Sequence, residues 1–310
     1  MDPLTADRIR GTWGTLLLPI DDNDAIDFAR LSDEIDYLID IGVDGIYSNG
    51  SAGELHNQDE DEFDHISSML SGKCESAGVD YQLGASHMDP RISLSRARRA
   101  AAYKPGAIQV ILPDWVPCSL AEAGDFLLRI AETVAPVGLV LYLPGHAKRA
   151  QSVENIGKLA QRVPSIVGLK VLGGDKAWYE SMRQHAPHLS VFIPGHDLAS
   201  GTQLGAHGSY SNVACLSPGG AMRWQKLMQM DMPAALELEG RIKKFMVEHI
   251  VPYRDQQGHS NTALDKLLAA VGGWGEVGTR LRWPYRGVPA PEADKLGPIA
   301  RHMLPELFAD

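Results

Sequence analysis

The sequence predicts an α/β fold, a closed (β/α)8 TIM barrel with a C-terminal helical extension. Short apolar segments typical of β-strands alternate with segments whose apolar residues recur every three or four positions, as in helices that pack on a sheet. Eight such strand-helix units fit into about 220 residues, which favours a closed barrel over an open sheet.

The predicted strands occupy the first two thirds of the chain. They lie at residues 12–19, 45–49, 81–85, 107–112, 138–142, 166–170, 190–193 and 208–211. The helices between them have core-facing apolar stripes at helical spacing. The stripes of the first two helices consist of Leu31, Ile35, Leu38 and Ile39, and of Phe63, Ile66 and Leu70.

The strand pattern stops after residue 218. The remaining chain is predicted to be helical, including residues 234–249 and 263–271. No segment rich in Pro, Gly or Ser divides the sequence. We therefore predict a barrel over residues 1–218 and a helical extension over residues 219–310 that packs on it.

Composition excludes several classes of partner. A formal net charge of −10 argues against nucleic acid, because phosphate binding needs clustered Lys and Arg. The basic run at 96–99 is short and is expected on a solvated helix face. No apolar run approaches the roughly 18 residues that span a membrane, and the charged first ten residues do not resemble a secretory signal. We expect a cytoplasmic protein whose three widely spaced cysteines form no disulfide or zinc site.

Lys170 is the first candidate for chemistry. It ends the sixth strand, and functional groups of such barrels project from the carboxyl-terminal ends of the strands. An amine buried among apolar neighbours has a lowered pKa and can attack a ketone to form a Schiff base. The alternative is a lysine whose stem packs on the rim while its amine reaches water.

The segment Gly50-Ser51-Ala52-Gly53-Glu54 follows the second strand. Its small residues let backbone N–H groups converge at a helix start, which would bind an anion such as a carboxylate. A plain glycine turn is the alternative. Glu54 is expected to cap a helix or to pair with an arginine.

Further polar residues follow other strands. The candidates are His87 after strand three, Asp114 and Trp115 after strand four, Tyr142 and His146 around the end of strand five, and Gly195, His196 and Asp197 after strand seven. Each histidine alone is more often a structural hydrogen-bonding group than a catalyst.

These segments resemble the family of N-acetylneuraminate lyase and dihydrodipicolinate synthase, class I pyruvate-dependent aldolases, lyases and dehydratases. Residues 50–54 resemble the family's pyruvate-carboxylate loop, and residues 140–144 are similar to its Tyr-Asn-x-Pro strand. Gly168-Leu169-Lys170 matches its Gly-x-Lys, and residues 205–213 resemble its last strand. The resemblance covers residues 11–281 and implies that Lys170 forms an imine with a 2-keto acid.

The sequence departs from this family at two positions. Trp115 stands where members usually have a tyrosine that shuttles protons, and an indole N–H cannot take that role. Ala52 replaces the second hydroxyl of the carboxylate loop, although a backbone anion site can survive this change. We expect a histidine to move protons instead, with His146 ahead of His87 because it follows the strand next to that of Lys170.

We therefore predict a Schiff-base lyase, aldolase or dehydratase acting on a pyruvate-derived substrate or a keto-deoxy sugar acid. Lys170 would be the nucleophile, and Tyr142 would line the pocket near the imine. Gly50, Ser51 and Ala52 would hold the carboxylate, whereas Trp115 and Gly195 would contact the rest of the substrate.

Two other classes of function stay open at this point. Imidazoles of His87, His146 and His196 with Asp114 or Asp197 could hold a metal in a lyase or hydrolase. A barrel that binds a small acid without turnover is the other. For the preferred function we expect no cofactor and no metal, and the resemblance implies a homodimer or a homotetramer.

Overall fold

The computed structural model describes residues 1–309 as a closed barrel of eight parallel strands surrounded by helices. The strands are β1 (Gly11–Thr15), β2 (Gly45–Ser48), β3 (Tyr81–Gly84), β4 (Ala107–Ile111), β5 (Gly138–Tyr142), β6 (Ile166–Lys170), β7 (Ser190–Phe192) and β8 (Gly208–Tyr210). They pair in sequence order, and β8 returns to β1. The predicted (β/α)8 barrel is confirmed.

The helices follow the strands as predicted. They are α1 (Phe28–Ile41), α2 (Glu60–Ala77), α3 (Pro90–Ala102), α4 (Leu120–Val134), α5 (Val153–Arg162), α6 (Lys176–His185), α7 (Leu198–Leu204), α8 (Asn212–Leu216), α9 (Pro218–Met230), α10 (Met232–Phe245), α11 (Val251–Asp255), α12 (Asn261–Gly272) and α13 (Ala290–Met303). Side-chain caps begin many of them, for example Asp59 with Glu62 in a capping box at α2. No helix among residues 1–309 is long and apolar enough to cross a membrane.

The first strand is shorter than predicted, because β1 ends at Thr15. The N–H of Leu17 donates to the buried carboxylate of Glu34, 2.8 Å away, instead of to a neighbouring strand. Leu16, Leu17 and Leu18 are buried in the core all the same. The Leu16 N–H still donates to the Tyr47 carbonyl on β2 at 2.9 Å. The apolar run therefore continues past the end of β1 as a buried extended segment, which the pattern alone does not distinguish from a strand.

The basic run on α3 is not a fully solvated face. Arg96 is only 1% exposed; it pairs with Glu60 and donates to the carbonyl of Gln58, 3.0 Å away. Its five N–H donors satisfy loop and α2 groups that would otherwise lack partners. The expectation of solvent exposure was wrong for Arg96, since position 96 faces α2.

The described chain after β8 contains helices and no further strand, and a non-helical segment at 273–289 separates α12 from α13. The predicted helix at 234–249 corresponds to α10, which starts earlier and passes into a π-helical turn at Met246–Ile250 before α11. The predicted boundary at residue 218 falls on the first residue of α9.

The N-terminal segment closes the amino-terminal end of the barrel. Leu4 N–H donates to the carbonyl of Gly106, just before β4, at 2.7 Å. The Ser190 hydroxyl at the start of β7 donates to the carbonyl of Ile9 at 2.6 Å. With the buried Trp13 ring, these residues fill the amino-terminal end of the barrel.

Candidate active site

A cavity of about 770 Å³ lies at the carboxyl-terminal ends of the strands. Strand ends and the loops after them form one side, including Ser51, Tyr142 and Lys170. The π-helical turn, α11 and α12 form the other, including Met246 and Asp265. The cavity is therefore a joint product of the barrel and the C-terminal helices.

Lys170 projects into this cavity from the end of β6, where it pairs with Tyr142 on β5. Its Nζ lies 4.3 Å from the ring centre of Tyr142, 4.9 Å from that of Tyr47 and 5.2 Å from that of Tyr210. Burial lowers the pKa of Lys170 to about 8, against the opposing charge of Asp265. At pH 7 about one amine in ten is then neutral, compared with about one in 3,000 for an ordinary lysine.

Tyr142 has the ring nearest to this amine, and its hydroxyl also interacts with Ser51 of the glycine-rich loop at 50–54. Burial raises the pKa of Tyr142, and a hydrogen bond with Ser51 partly offsets that rise. The pairing of β5 with β6 therefore brings the Lys170 amine and the Tyr142 side chain together. Ser51 connects the Tyr142 hydroxyl to the loop that follows β2.

The loop at 50–54 has backbone N–H groups without acceptors in the described chain. The N–H groups of Glu54 and Leu55 bond to the carbonyls of Ser51 and Gly50, whereas those of Ser51 and Ala52 have no acceptor among residues 1–309. Ser51 and Ala52 both line the cavity. Two unpaired N–H groups at a tight turn are suited to an anion.

Gly50 has a steric reason to lack a side chain. A Cβ built on it would lie 1.3 Å from the Tyr47 hydroxyl oxygen, which is buried beneath the loop and has no hydrogen-bond partner in the described chain. Gly50 does not itself line the cavity. Its contribution is to let the loop pass close over the barrel interior.

α12 anchors the same loop from the other side. The Thr262 hydroxyl donates to the Ser51 carbonyl at 2.8 Å, and Lys266 Nζ lies 2.6 Å from Glu54 Oε1. Both charged side chains are buried, and Lys266 also donates to the Arg280 carbonyl. The expected arginine partner or cap role for Glu54 was wrong, because the nearest cation comes from a helix whose position the sequence does not reveal.

The histidines are dispersed. His146 lies exposed at the cavity mouth and His196 on its wall, where its Nδ1 is 2.8 Å from the Asn212 amide. His87 is outside the lining: its Nδ1 accepts from the N–H of Asp89, and burial lowers its pKa. Nowhere in residues 1–309 do three His, Cys, Asp or Glu side chains gather as metal ligands. The metal-dependent alternative therefore has no ligand set.

Two predicted substrate contacts lie outside the cavity lining. Trp115 is 70% exposed, and Lys148 Nζ lies over its ring, 4.7 Å from the ring centre. Gly195 is buried against the turn after β8, where a Cβ would lie 2.4 Å from the Ser211 hydroxyl oxygen. Their contact with a substrate stays a prediction.

Asp265 lines the cavity and was not among the sequence candidates. It projects from α12 beside Leu264 and Leu268, and burial raises its pKa to about 7 despite the nearby charge of Lys170. One signal was available: Asp265 and Lys266 are the charged residues within an otherwise apolar helical stretch at 263–271. The sequence pattern does not show that this helix lines the same cavity as Lys170.

Comparison with known proteins extends over nearly the whole chain. The sequence model of the Dihydrodipicolinate synthetase family matches residues 8–272. An N-acetylneuraminate lyase of Escherichia coli is 27% identical over 320 residues, covering 98% of this chain and 96% of that protein. Among solved structures, YagE, a prophage protein of the dihydrodipicolinic acid synthase family from E. coli K12 in complex with pyruvate, superimposes with a TM-score of 0.82 at 19% identity, over 95% of this chain and 98% of YagE. The N-acetylneuraminate lyase of Fusobacterium nucleatum gives a TM-score of 0.82 at 18% identity, over 96% and 99% of the two chains.

Proposed function

This chain belongs to the dihydrodipicolinate synthetase family and is a lyase of the class I aldolase type, and from that premise we propose that it acts on a 2-keto acid through a Schiff base on Lys170. The family resemblance drawn from the motifs is thereby confirmed. One observation carries the proposal: an amine with a pKa lowered to about 8 lies in a cavity whose wall also bears a loop with free backbone donors.

The proposed roles of the residues follow from the two reactive groups of a 2-keto acid, its carboxylate and its ketone. The carboxylate would rest on the N–H groups of Ser51 and Ala52, with the Ser51 hydroxyl beside it. The neutral amine of Lys170 attacks the ketone carbon to give a carbinolamine. Its hydroxyl takes up one proton from solvent and leaves as water, so that a protonated imine results. That cation withdraws electrons from C3, so a C3 proton or the C3–C4 bond can be given up and an enamine formed.

Proton transfer at the imine is assigned to Tyr142. Its hydroxyl belongs to the side chain whose ring centre is 4.3 Å from Lys170 Nζ, and it is bonded to Ser51. His146 lies at the mouth and His87 lies outside the lining, so both are less well placed for C3. We therefore rank Tyr142 ahead of the two histidines as the proton donor and acceptor.

The cavity is far larger than pyruvate needs. About 770 Å³ extends from Lys170 to the C-terminal helices, past Val171, Ile193 and Ile250. A substrate that fills such a site carries a further chain or ring on the pyruvate unit. This supports an aldol or dehydration substrate rather than free pyruvate alone.

Imine formation should depend on pH through Lys170. Treatment with pyruvate and cyanoborohydride is expected to attach one reduced adduct to Lys170, mapped by mass spectrometry. The folded-state pKa is lowered, so the neutral amine increases as pH rises: the trapping rate should climb about tenfold per pH unit below pH 8 and level off above it.

The matched reference is free Nα-acetyl-lysine, which corrects for the pH dependence of the reductant. Its rate should continue to rise toward pH 10. An adduct on another lysine, or a protein profile parallel to that of the free amine, would contradict the proposal. A chelator should leave trapping unchanged, which separates this chemistry from a metal-dependent one.

The loop proposal predicts unequal effects of two neighbouring substitutions. Ser51→Ala should weaken pyruvate binding by about ten- to a hundredfold, the equivalent of one hydrogen bond to a charged group. Gly50→Ala should weaken it further, because its Cβ overlaps the Tyr47 hydroxyl and displaces the loop. Affinity is measured by calorimetry, with Gly72→Ala on α2, where a Cβ meets no atom within 4 Å, as control. If the wild-type protein and the three variants bind pyruvate with equal affinity, the anion site lies elsewhere.

Exposed apolar side chains at the carboxyl-terminal end of the barrel support the predicted homodimer or homotetramer. Trp115, Val116 and Leu172 are 70%, 76% and 64% exposed. They belong to the loops after β4 and β6. Large apolar side chains are buried in a contact surface more often than left in water.

A barrel that binds an acid without turnover is less well supported. Such a protein would need the loop but not a lysine whose pKa is lowered beside a tyrosine hydroxyl. Placing an amine in that environment costs free energy without improving the binding of a carboxylate.

A further inference from the structure

α12 contributes one carboxylate to the wall of the cavity. Leu264 and Leu268 flank Asp265, and all three line the cavity. The carboxylate of Asp265 has no hydrogen bond or ion pair within residues 1–309; its pKa reflects only burial and the charge of Lys170. A partly desolvated carboxylate without a protein partner is costly, so a ligand group is the natural partner.

Asp265 faces the reacting centre. Its charge affects the pKa of four groups on four elements: Lys170 on β6, Tyr142 on β5, Tyr47 on β2 and Cys215 on α8. It therefore approaches the imine position from the helical side of the cavity, whereas Tyr142 approaches it from the barrel.

The spacing along α12 indicates which part of the substrate Asp265 meets. Thr262 touches the loop that would hold the substrate's C1 carboxylate, through its bond to the Ser51 carbonyl. Asp265 is three residues farther on, about 4.5 Å along the helix axis. A comparable span separates the carboxylate of a 2-keto acid from a hydroxyl on C4.

Resting on the function proposed above, we propose that Asp265 is a second catalytic residue, which exchanges a proton with the C4 hydroxyl of a 4-hydroxy-2-keto acid bound to Lys170. In cleavage, the Asp265 carboxylate takes the hydroxyl proton and the C4–O electrons form the aldehyde. The C3–C4 bond breaks, and its electron pair moves into the protonated imine to give the enamine.

The cycle then closes without Asp265. Tyr142 protonates C3 of the enamine, and water hydrolyses the resulting imine to release pyruvate and the free Lys170 amine. The proton on Asp265 passes to solvent, which also restores that of Tyr142. Tyr142 thus transfers the proton at C3, and Asp265 transfers the proton of the C4 hydroxyl.

Two assays separate these steps. Exchange of the pyruvate methyl protons with deuterated water, followed by NMR, needs the imine and proton transfer at C3 but no C4 hydroxyl. Cleavage is measured with 4-hydroxy-2-keto acids prepared from pyruvate and a panel of acetaldehyde, glyceraldehyde and benzaldehyde. Asp265→Asn should keep exchange within about threefold and lower cleavage of the best probe by a hundredfold or more, on the order expected for acid-base catalysis.

Three further variants and conditions sharpen the test. Asp265→Glu should recover part of the cleavage because it keeps a carboxylate. Asp255→Asn, at an exposed residue paired with Arg254 beside the same cavity, should leave both assays unchanged. The cleavage rate of the wild-type protein should show a limb near pH 7 that is absent from Asp265→Asn.

Each other outcome is decisive. If Asp265→Asn loses exchange together with cleavage, Asp265 only supports Lys170, and the inference fails. If it loses neither, or if the wild-type protein exchanges pyruvate protons but cleaves no member of the panel, the inference also fails while the Schiff-base proposal stands. Absence of exchange in the wild-type protein overturns the proposed function itself.

Discussion

Replacing Lys170 with methionine is expected to abolish imine trapping with pyruvate and to lower turnover by at least about 10⁴-fold, because the covalent step provides much of an acceleration of about 10⁶ or more. Methionine has a similar length and suits the surrounding tyrosine rings. The fold should be unaffected or slightly more stable, since a partly charged amine no longer has to be desolvated. Mass spectrometry after reduction, initial rates and thermal unfolding measure the three effects.

Lys243→Met is the matched control, since Lys243 also lines the cavity. Burial alone would lower the pKa of Lys243, but hydrogen bonds to Asp197 and Glu239, each 2.8 Å away, raise it. Its amine is therefore held in the charged form and is not a nucleophile. If Lys170→Met still traps pyruvate, or if only Lys243→Met loses trapping, the assignment of the imine to Lys170 is wrong.

Lys266→Met is expected to destabilise the protein by about 3–5 kcal/mol, the usual cost of leaving a buried charge without its partner. Glu54 is 1% exposed and would keep only the N–H of Arg282 as a hydrogen-bond donor, at 3.2 Å. Because Glu54 ends the glycine-rich loop, pyruvate affinity should fall as well. Urea unfolding with and without pyruvate measures both effects.

The same substitution at Lys295 provides the comparison. Lys295 pairs with Glu292 on α13 at the surface, and an exposed pair contributes at most about 1 kcal/mol. Lys295→Met should therefore change stability little. Equal effects at the two positions would mean that the Glu54–Lys266 pair has no special part in holding the loop.

Local patterns were sufficient to predict the barrel and the place of Lys170 at the end of a strand. Parallel strands buried on both faces tend to be apolar runs, as in β5 and β6, and a lysine that ends such a run is conspicuous. The glycine-rich loop is visible for a similar reason, because few side chains tolerate the close passage at Gly50. These features depend on neighbours along the chain.

Side-chain direction and distant packing were not predictable in the same way. The position of a residue after a strand predicts which end of the barrel it occupies, but not where its side chain points. His146 is exposed and His87 is outside the cavity lining, whereas Tyr142 lies beside Lys170. Asp265 belongs to a helix nearly a hundred residues after Lys170, and nothing local specifies that α12 lines the same cavity as Lys170 and contacts the loop after β2. For the same reason Lys266 could not be named as the partner of Glu54.

The closed amino-terminal end of the barrel has a kinetic consequence for the proposed Schiff-base reaction. With Leu4, Ile9 and Trp13 filling that end, a keto acid attached to Lys170 would lie at the inner end of the cavity, and the rest of the substrate would lie toward its opening. After cleavage the aldehyde fragment would then have to leave first and pyruvate last. We expect an ordered steady state, in which pyruvate competes with the whole substrate for the free enzyme and the aldehyde does not.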